Sequence, residues 1–328
     1  MKKYKLVVMM PALNEGKTIE SVIRQMPEEV PGIKEIVVLV VDDGSTDNTS
    51  AIAEGAGAVV VSHNENHGVG KAYATGLDYA LKHGADIIVN IDSDGQFDSK
   101  DIPELIKPIT DGKAEFVTAS RFIDKSIIPK MTFARLWGNK AMSLVISKIV
   151  GRRFYDVSCG FRACSREAAL RLNLSGAFTY TQETFLDLAA KGIHIVEIPM
   201  VVLGTRKTGK SRVASNLWKY GHRASRIIIK AYKDYWPWQF FSSVALGCFA
   251  VSFALGGFLL YWRITHHKFS PHIWAGFVAG FFFVVGTLSV LMGMAGDMLK
   301  RIRLNVEQLL YFQKKQYYDE LNSSDSEV

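Results

Sequence analysis

Two carboxylates stand two residues apart at the end of an apolar run, in the stretch IIVNIDSDGQF from Ile87 to Phe97. Ile87 to Ile91 has the length and composition of a buried strand, and it stops at Asp92-Ser93-Asp94, with Gln96 just beyond. Strands alternate their faces, so residues two apart point the same way, and Asp92 and Asp94 are expected to aim at one point past the strand's carboxyl end. Hard divalent cations want such oxygen ligands, and Mg²⁺ and Mn²⁺ usually share them with a substrate's phosphates. For an Asp-x-Asp standing alone, a solvated acidic turn is the better account. The company the motif keeps shifts the balance: PALNE (11–15) and DDGSTD (42–47) also follow apolar runs of strand length.

The elements that must hold these segments can be read in order. Leu6 to Met10 is a strand ended by Pro11, and Ile19, Val22, Ile23 and Met26 follow at helical spacing. Glu35 to Val41 is a second strand, followed by a helix capped by Thr46 or Asp47. Ala58 to Ser62 is a third, HNENHGVGKAYATG opens another helix, and Ile87 to Ile91 is the fourth strand. Gly68-Val69-Gly70-Lys71 lacks the spacing and the Ser or Thr of a phosphate loop and reads as a tight turn into that helix. Strands alternating with helices predict an α/β fold with a mostly parallel, Rossmann-like sheet covered on both faces. Ligands of such sheets bind outside the carboxyl ends of the strands, so PALNE, DDGSTD and DSDGQ should converge on one cleft. Farther on, Met131 to Val150 and Thr179 to Ala190 have helical spacing, and Ile193 to Val201 is a strand.

The segments PALNE, VDDGSTD, DSDGQ, SRF, DVSCGFRA and TRKTGKSR occur in this order between about residue 6 and about residue 215. That ordered set resembles the inverting GT-A glycosyltransferases, in the branch of dolichol-phosphate mannose synthase and the bacterial polyprenyl-phosphate glycosyltransferases. The resemblance implies a GT-A catalytic domain in which Pro11, Leu13, Glu15, Val41 and Asp43 meet the nucleoside of a nucleotide-diphosphate sugar. Leu13 stands where family members usually carry an aromatic residue. It implies Mg²⁺ or Mn²⁺ at Asp92, Asp94 and Gln96, with Ser93 in the same diphosphate site. Arg121 then lies near the transferred phosphates and, with Arg135, serves the acceptor phosphate of a polyprenyl phosphate. Arg206 and Lys210 close over the diphosphate from the far side. Glu183, in the pair Gln182-Glu183, stands where relatives that glycosylate hydroxyl groups usually carry Glu-Asp with the Asp as base. The Gln-x-x-Arg-Trp of processive synthases is absent from the chain. A lipid phosphate is already anionic at neutral pH and needs no base. A hydroxyl acceptor, on a lipid or a glycan with Glu183 as base, is the alternative.

The chain has 328 residues and a formal charge of +7, and no groove-reading motif that would make it a nucleic-acid binder. Its three cysteines, Cys159, Cys164 and Cys248, make neither a zinc set nor a disulfide framework. Phe240 to Trp262 and Ile273 to Gly296 contain no charged residue, and each exceeds the ~20 residues needed to span a bilayer. They predict a two-span membrane protein. Basic residues flank both runs on the outer sides, among them Lys210, Arg212, Lys219 and Arg223 before the first and Lys300, Arg301 and Arg303 after the second. The positive-inside rule then places the catalytic part and both termini in the cytoplasm. Gly276 and Gly280 form a GxxxG, a spacing that packs either the two helices or a homo-oligomer. Asn216 to Tyr235 interleaves aromatic and basic residues, as an interfacial amphipathic helix does. The expected division is 1–213 catalytic, 214–238 juxtamembrane, 239–298 membrane hairpin, and 299–328 a cytoplasmic helix (Leu304 to Tyr318) with a polar, frayed tail (Leu321 to Val328).

Overall fold

A computed structural model describes residues 3–173, 180–203, 225–226, 229–230 and 232–324. They divide into two units, Met1–Ile228 with Leu309–Val328, and Ile229–Gln308. In the first, the order is β1 (Tyr4–Ala12), α1 (Ile19–Arg24), β2 (Ile33–Asp42), α2 (Thr49–Gly55), β3 (Val59–Ser62), α3 (Val69–Lys82), β4 (Ile87–Asn90) and α4 (Ile102–Thr110). Then come β5 (Phe116–Ser120), α5 (Phe133–Val150), β6 (Arg162–Ser165), α6 (Arg166–Arg171), α7 (Thr181–Ala190) and β7 (Ile195–Pro199). The strands form one seven-stranded sheet in the order β3-β2-β1-β4-β6-β5-β7. Its pairs are parallel except those of β6, which runs against both β4 and β5. The expected mostly parallel, two-faced sheet is therefore what the chain builds. Strands β1 and β4 read as continuous apolar runs because helices cover both faces, and Leu6, Val8, Met10, Ile87 and Val89 share a core with Leu105 and Ile106 of α4.

Strand β1 runs two residues farther than its sequence suggests, straight through Pro11. The Met9 carbonyl accepts from the Ile91 amide and the Ala12 carbonyl from the Asp43 amide. Odd-numbered residues of β1 thus face β4 and even-numbered ones face β2. The β1–β4 ladder ends at the Met9–Asn90 pair, so the missing N–H of Pro11 faces a place where no ladder bond is due. The Pro11 carbonyl instead accepts from Ser93 Oγ at 3.1 Å.

The second unit holds most of two long helices, α8 (Pro237–His266) and α9 (Ile273–Ser324). Both are long and apolar enough to cross a membrane. The helix expected over Leu304 to Tyr318 is no separate element: it continues α9 without a break. From Leu309 onward α9 belongs to the first unit and straps the outer sides of α3 and α6. Tyr311 Oη donates to Glu167 at 2.8 Å, Lys314 Nζ to the Leu172 carbonyl at 3.0 Å, and Asp319 pairs with Arg166 at 2.9 Å. Asn322 Nδ2 reaches the Leu81 carbonyl at 3.2 Å, so the polar end expected to fray is docked at least to that point. Tyr318 is 7% exposed, and its hydroxyl donates to Asp78 at 2.7 Å. Tyr318→Phe is expected to cost about 1 kcal/mol, the range for a bond to a charged acceptor reduced because water also reaches Asp78. Earlier proteolytic release of the C-terminal segment checks it. Most of the expected interfacial helix, Asn216 to Tyr235, lies outside the described residues.

Candidate active site

The site is built from three turns at the carboxyl ends of β1, β2 and β4, tied to each other by side chains. Asn14 takes a left-handed backbone (φ 51°), which Asn tolerates better than most residues. From there its Oδ1 accepts from the Thr46 amide at 2.7 Å and its own amide donates to Ser45 Oγ at 2.8 Å. The Glu15 amide donates to Thr49 Oγ1 at 2.9 Å. Asp42 gathers the hydroxyls of Ser45 and Ser50, and Asp47 accepts from the Thr49 amide at 3.1 Å. The N-cap of α2, expected at Thr46 or Asp47, is Asn48, whose side chain makes no capping bond. The third turn is joined to the first by Thr18 Oγ1, which donates to the Ser93 carbonyl at 3.0 Å, and by the Ser93–Pro11 bond.

Asp92 and Asp94 lie in a turn. Strand β4 ends at Asn90, not Ile91, so strand alternation is not what sets the two carboxylates. Local chemistry does so instead. Asp94, 2% exposed, accepts from the Gln96 amide at 3.0 Å, an Asx turn that fixes its side chain. Asp92 is set by β6. The antiparallel register pairs Asn90 with Arg162, and continuing it by two residues brings Gly160 opposite Asp92. Asn90 Nδ2 donates to the Gly160 carbonyl at 2.7 Å and to Tyr180 Oη at 2.8 Å. A Cβ on Gly160 would stand 2.7 and 2.8 Å from the Asp92 carboxylate oxygens, so only glycine leaves room for that carboxylate. Gly160→Ala is expected to push the Asp92 carboxylate aside and weaken Mn²⁺ binding about 10- to 100-fold. Titrating the variant with Mn²⁺ by paramagnetic resonance, alongside an unchanged melting profile, checks this.

Three carbonyls on the approach to α7 and β6 are held by Arg162, which is 1% exposed. Its Nε donates to Cys159 O at 2.7 Å, Nη1 to Thr181 O at 2.8 Å and Nη2 to Val157 O at 3.0 Å. Burial pushes the neighbouring Cys159 thiol up to about 12, and the Cys164 thiol likewise, so both stay protonated and inert.

The remaining expected site residues fall in distinct places. Pro11, Leu13 and Glu15 line the first turn, all half-buried. Asp43, 4% exposed, already holds the start of α3. Its Oδ1 accepts from the His67 amide at 3.0 Å and its Oδ2 from the Gly68 amide at 2.8 Å, while His63 Nδ1 lies 2.7 Å from Oδ1. A carboxylate has room for about four such bonds, and these three leave one position over. Val41 differs from its expected role. It is 0% exposed and packs toward Gly76 of α3, so its side chain offers no surface to a base. Gln96 is a clamp: its Nε2 donates to the Leu203 carbonyl at 3.0 Å, and its own carbonyl accepts from the Leu203 amide at 3.0 Å. That bond fixes the chain one residue before 204. Arg206 and Lys210 lie outside the described residues.

Arg121 makes a two-pronged pair with Asp156, at 2.6 Å from Nε and 2.9 Å from Nη2. Burial alone would disfavour its charge, but Asp156, with Asp92 as a lesser neighbour, raises its pKa above the ordinary arginine range. The guanidinium is thus a permanent cation held in the field of the acidic turn. Arg135 is exposed in the first turn of α5. Glu183 is half-buried in the first turn of α7, next to Gln182, whose Nε2 reaches Ser158 Oγ at 3.3 Å. Sequence reasoning assigned no role to Asn14, His63, Asn90, Asp156, Gly160 or Arg162. Five of the six stand inside the family motifs or the β4 strand, where their position is visible and their partners are not.

Among the described residues no group of three or more His, Cys, Asp or Glu is arranged to hold a metal. Asp92 and Asp94 nonetheless fit Mg²⁺ or Mn²⁺, which take one or two carboxylates and complete their shell with phosphate oxygens and water. The model for glycosyl transferase family 2 matches residues 7–172. The chain is 30% identical to a UDP-N-acetylglucosamine–dolichyl-phosphate N-acetylglucosaminyltransferase of Methanococcus voltae, over 61% of this chain and 86% of that one. It is 25% identical to the polyprenol monophosphomannose synthase of Mycolicibacterium smegmatis, over 65% and 84%. Its fold is shared with glucosyl-3-phosphoglycerate synthase from Mycobacterium tuberculosis, solved with Mn²⁺, UDP and phosphoglyceric acid: TM-score 0.55, 23% identity, 70% of this chain and 78% of that one. With β1, β2 and β4 delivering three tied turns to one end of a GT-A sheet, and the family's pattern running from the first strand to the end of α6, this chain belongs to glycosyl transferase family 2 and is a glycosyltransferase.

Proposed function

We propose that this glycosyltransferase moves one sugar from a nucleotide-diphosphate sugar to a polyprenyl phosphate, with inversion, at a membrane. The observation that carries the reading is the tying of the Asn14, Ser45 and Ser93 turns beside an acidic pair of which Asp94 is buried and Asp92 half-buried. The polyprenyl and dolichyl phosphate acceptors named for two relatives support it, and so do two helices long and apolar enough to span a bilayer.

In this reading Pro11, Leu13, Glu15 and Asp43 bind the nucleoside, and Asp92, Ser93, Asp94 and Gln96 form the floor under the diphosphate. A divalent cation at Asp92 and Asp94 supplies charge neutralisation for the leaving diphosphate. Arg121 and Arg135 orient the lipid phosphate, and Arg206 and Lys210 cover the diphosphate. A lipid phosphate oxygen forms the new bond to the anomeric carbon. The bond from that carbon to the diphosphate oxygen breaks on the opposite face, and the nucleoside diphosphate leaves with the electron pair. The chain's work is placement in line and fixed positive charge, not proton removal.

Radiolabelled sugar from a panel of nucleotide sugars should enter an organic-extractable, mild-acid-labile lipid when polyprenyl phosphate is present, and a chelator should stop it. Incorporation into a hydroxyl acceptor alone would overturn the assignment. Because no proton has to be removed, Glu183→Gln is expected to keep kcat within about threefold. A loss of about 10²-fold or more, the usual worth of a general base, would move the acceptor to a hydroxyl.

A further inference from the structure

We infer that His63 makes the nucleoside end of this site selective for a base with a single ring N–H, uracil or thymine, over guanine. The inference rests on the role proposed above for Asp43 and adds which base that carboxylate can take. The reason is a count of places. A carboxylate accepts about four hydrogen bonds, about two on each oxygen. Among the described residues, Asp43 Oδ1 is met by the His67 amide at 3.0 Å and by His63 Nδ1 at 2.7 Å, while Oδ2 is met by the Gly68 amide at 2.8 Å. Oδ1 is full, and Oδ2 has one place open.

The fold fixes that occupancy. The His63 amide donates to the Asp42 carbonyl at 2.8 Å, one step past the Asp42–Ser62 pair that ends the β2–β3 ladder. The ring is pinned at its other end, where Nε2 lies 3.0 Å from Thr75 Oγ1 of α3. A carboxylate only accepts, so Nδ1 carries a proton and donates it to Asp43. The turn that follows packs closely on Gly44 (φ 74°): a Cβ there would stand 2.6 Å from the Glu65 carbonyl carbon. The His67 and Gly68 amides are thereby held against Asp43 as well.

Bases differ in what they bring to the place that is left. The pairing edge of guanine carries two donors side by side, N1–H and N2–H. Together they would take both oxygens of a carboxylate at once, as an arginine fork does. Here the second donor meets an oxygen with no place left, and Asp43, 4% exposed, leaves little water to take it. A polar group stranded in this way costs about 10- to 100-fold in affinity. Uracil and thymine bring one donor, N3–H, and the single place on Oδ2 suffices. Adenine and cytosine have no ring N–H on that edge and set a nitrogen lone pair against the carboxylate.

Calorimetric titration of the full chain in detergent, with Mn²⁺ present, tests this with UDP, dTDP and GDP and needs no acceptor. UDP or dTDP should bind about 10- to 100-fold more tightly than GDP, and comparing the two shows whether uracil or thymine is the better fit. His63→Leu opens the second place on Oδ1, so the preference over GDP should shrink about tenfold. His63→Asn sets an amide N–H near the position of Nδ1 and should keep the parent's preference. A ring with a merely structural role would weaken all three nucleotides alike and leave their ratios unmoved in both variants. GDP binding as tightly as UDP and dTDP in the parent overturns the inference without recourse to any variant. An unchanged preference in folded His63→Leu also overturns it, and binding of no nucleotide removes Asp43 from the nucleoside altogether. Tight UDP binding with no transfer to polyprenyl phosphate fails the acceptor proposed above and leaves this inference standing. Efficient transfer from a GDP-sugar alone does the reverse.

Discussion

Asp94→Ala is expected to lower kcat about 10³-fold, at the upper end of what one electrostatic stabiliser is worth, with the melting profile nearly unchanged. In the proposed reaction the charge that develops on the departing diphosphate is the largest electrostatic change, and Asp94 would hold the cation that meets it. The side chain also closes a local turn through the Gln96 amide, but that single bond is worth only about 1 kcal/mol. The two losses separate cleanly: Mn²⁺ affinity, read by paramagnetic resonance, should collapse in Asp94→Ala while thermal unfolding moves little. Asp94→Asn keeps an oxygen but not the charge and should fall between. Full activity in Asp94→Ala, with activity still lost on chelation, would place the cation elsewhere.

Much of the architecture was visible in the chain because its strands are buried on both faces. A continuous run such as Leu6 to Met10 or Ile87 to Ile91 has one explanation at that length, and the βα alternation then fixes where the loops converge. What stayed hidden were interactions between residues far apart in sequence. Strand β6 is four residues long and antiparallel, and nothing in RACS distinguishes it from a loop. Its register alone puts Gly160 against Asp92, so the physical reason for that glycine could not be read from the motif that contains it. The acidic pair follows β4, but the alternation rule says nothing of how its carboxylates are set, since β4 ends before it. Val41 shows the opposite error: a resemblance assigned it to the base, and the side chain packs under α3. At the C-terminal end composition points to a frayed tail over Leu321 to Val328, while Asn322, within the described residues, donates to a carbonyl of α3's last turn.

Arg162 is where the hidden contacts concentrate, and its replacement has the largest expected effect on stability. The side chain sits among the rings of Phe185, Tyr180 and Phe116, with its guanidinium carbon 5.0, 5.7 and 5.8 Å from their centroids. Among the described residues it forms no ion pair, and three backbone carbonyls take its hydrogen bonds. Arg162→Met keeps much of the volume and the aromatic contacts but strips the donors from Val157, Cys159 and Thr181. A buried acceptor left without a partner costs about 1–3 kcal/mol, so the variant should lose about 3–5 kcal/mol out of a total of about 5–15. At about 2–4 °C per kcal/mol for a domain this size, the transition should fall by about 10 °C. Arg162→Lys keeps the charge but not the three-way fork and should recover only part of the loss. The Cys159 carbonyl anchors the residue before Gly160, so releasing it frees the wall behind Asp92. Below the lowered transition, Arg162→Met should therefore bind Mn²⁺ more weakly than the parent as well. A variant that melted early yet bound Mn²⁺ normally would confine Arg162 to the core and leave Asn90 as the residue that holds Gly160 in place.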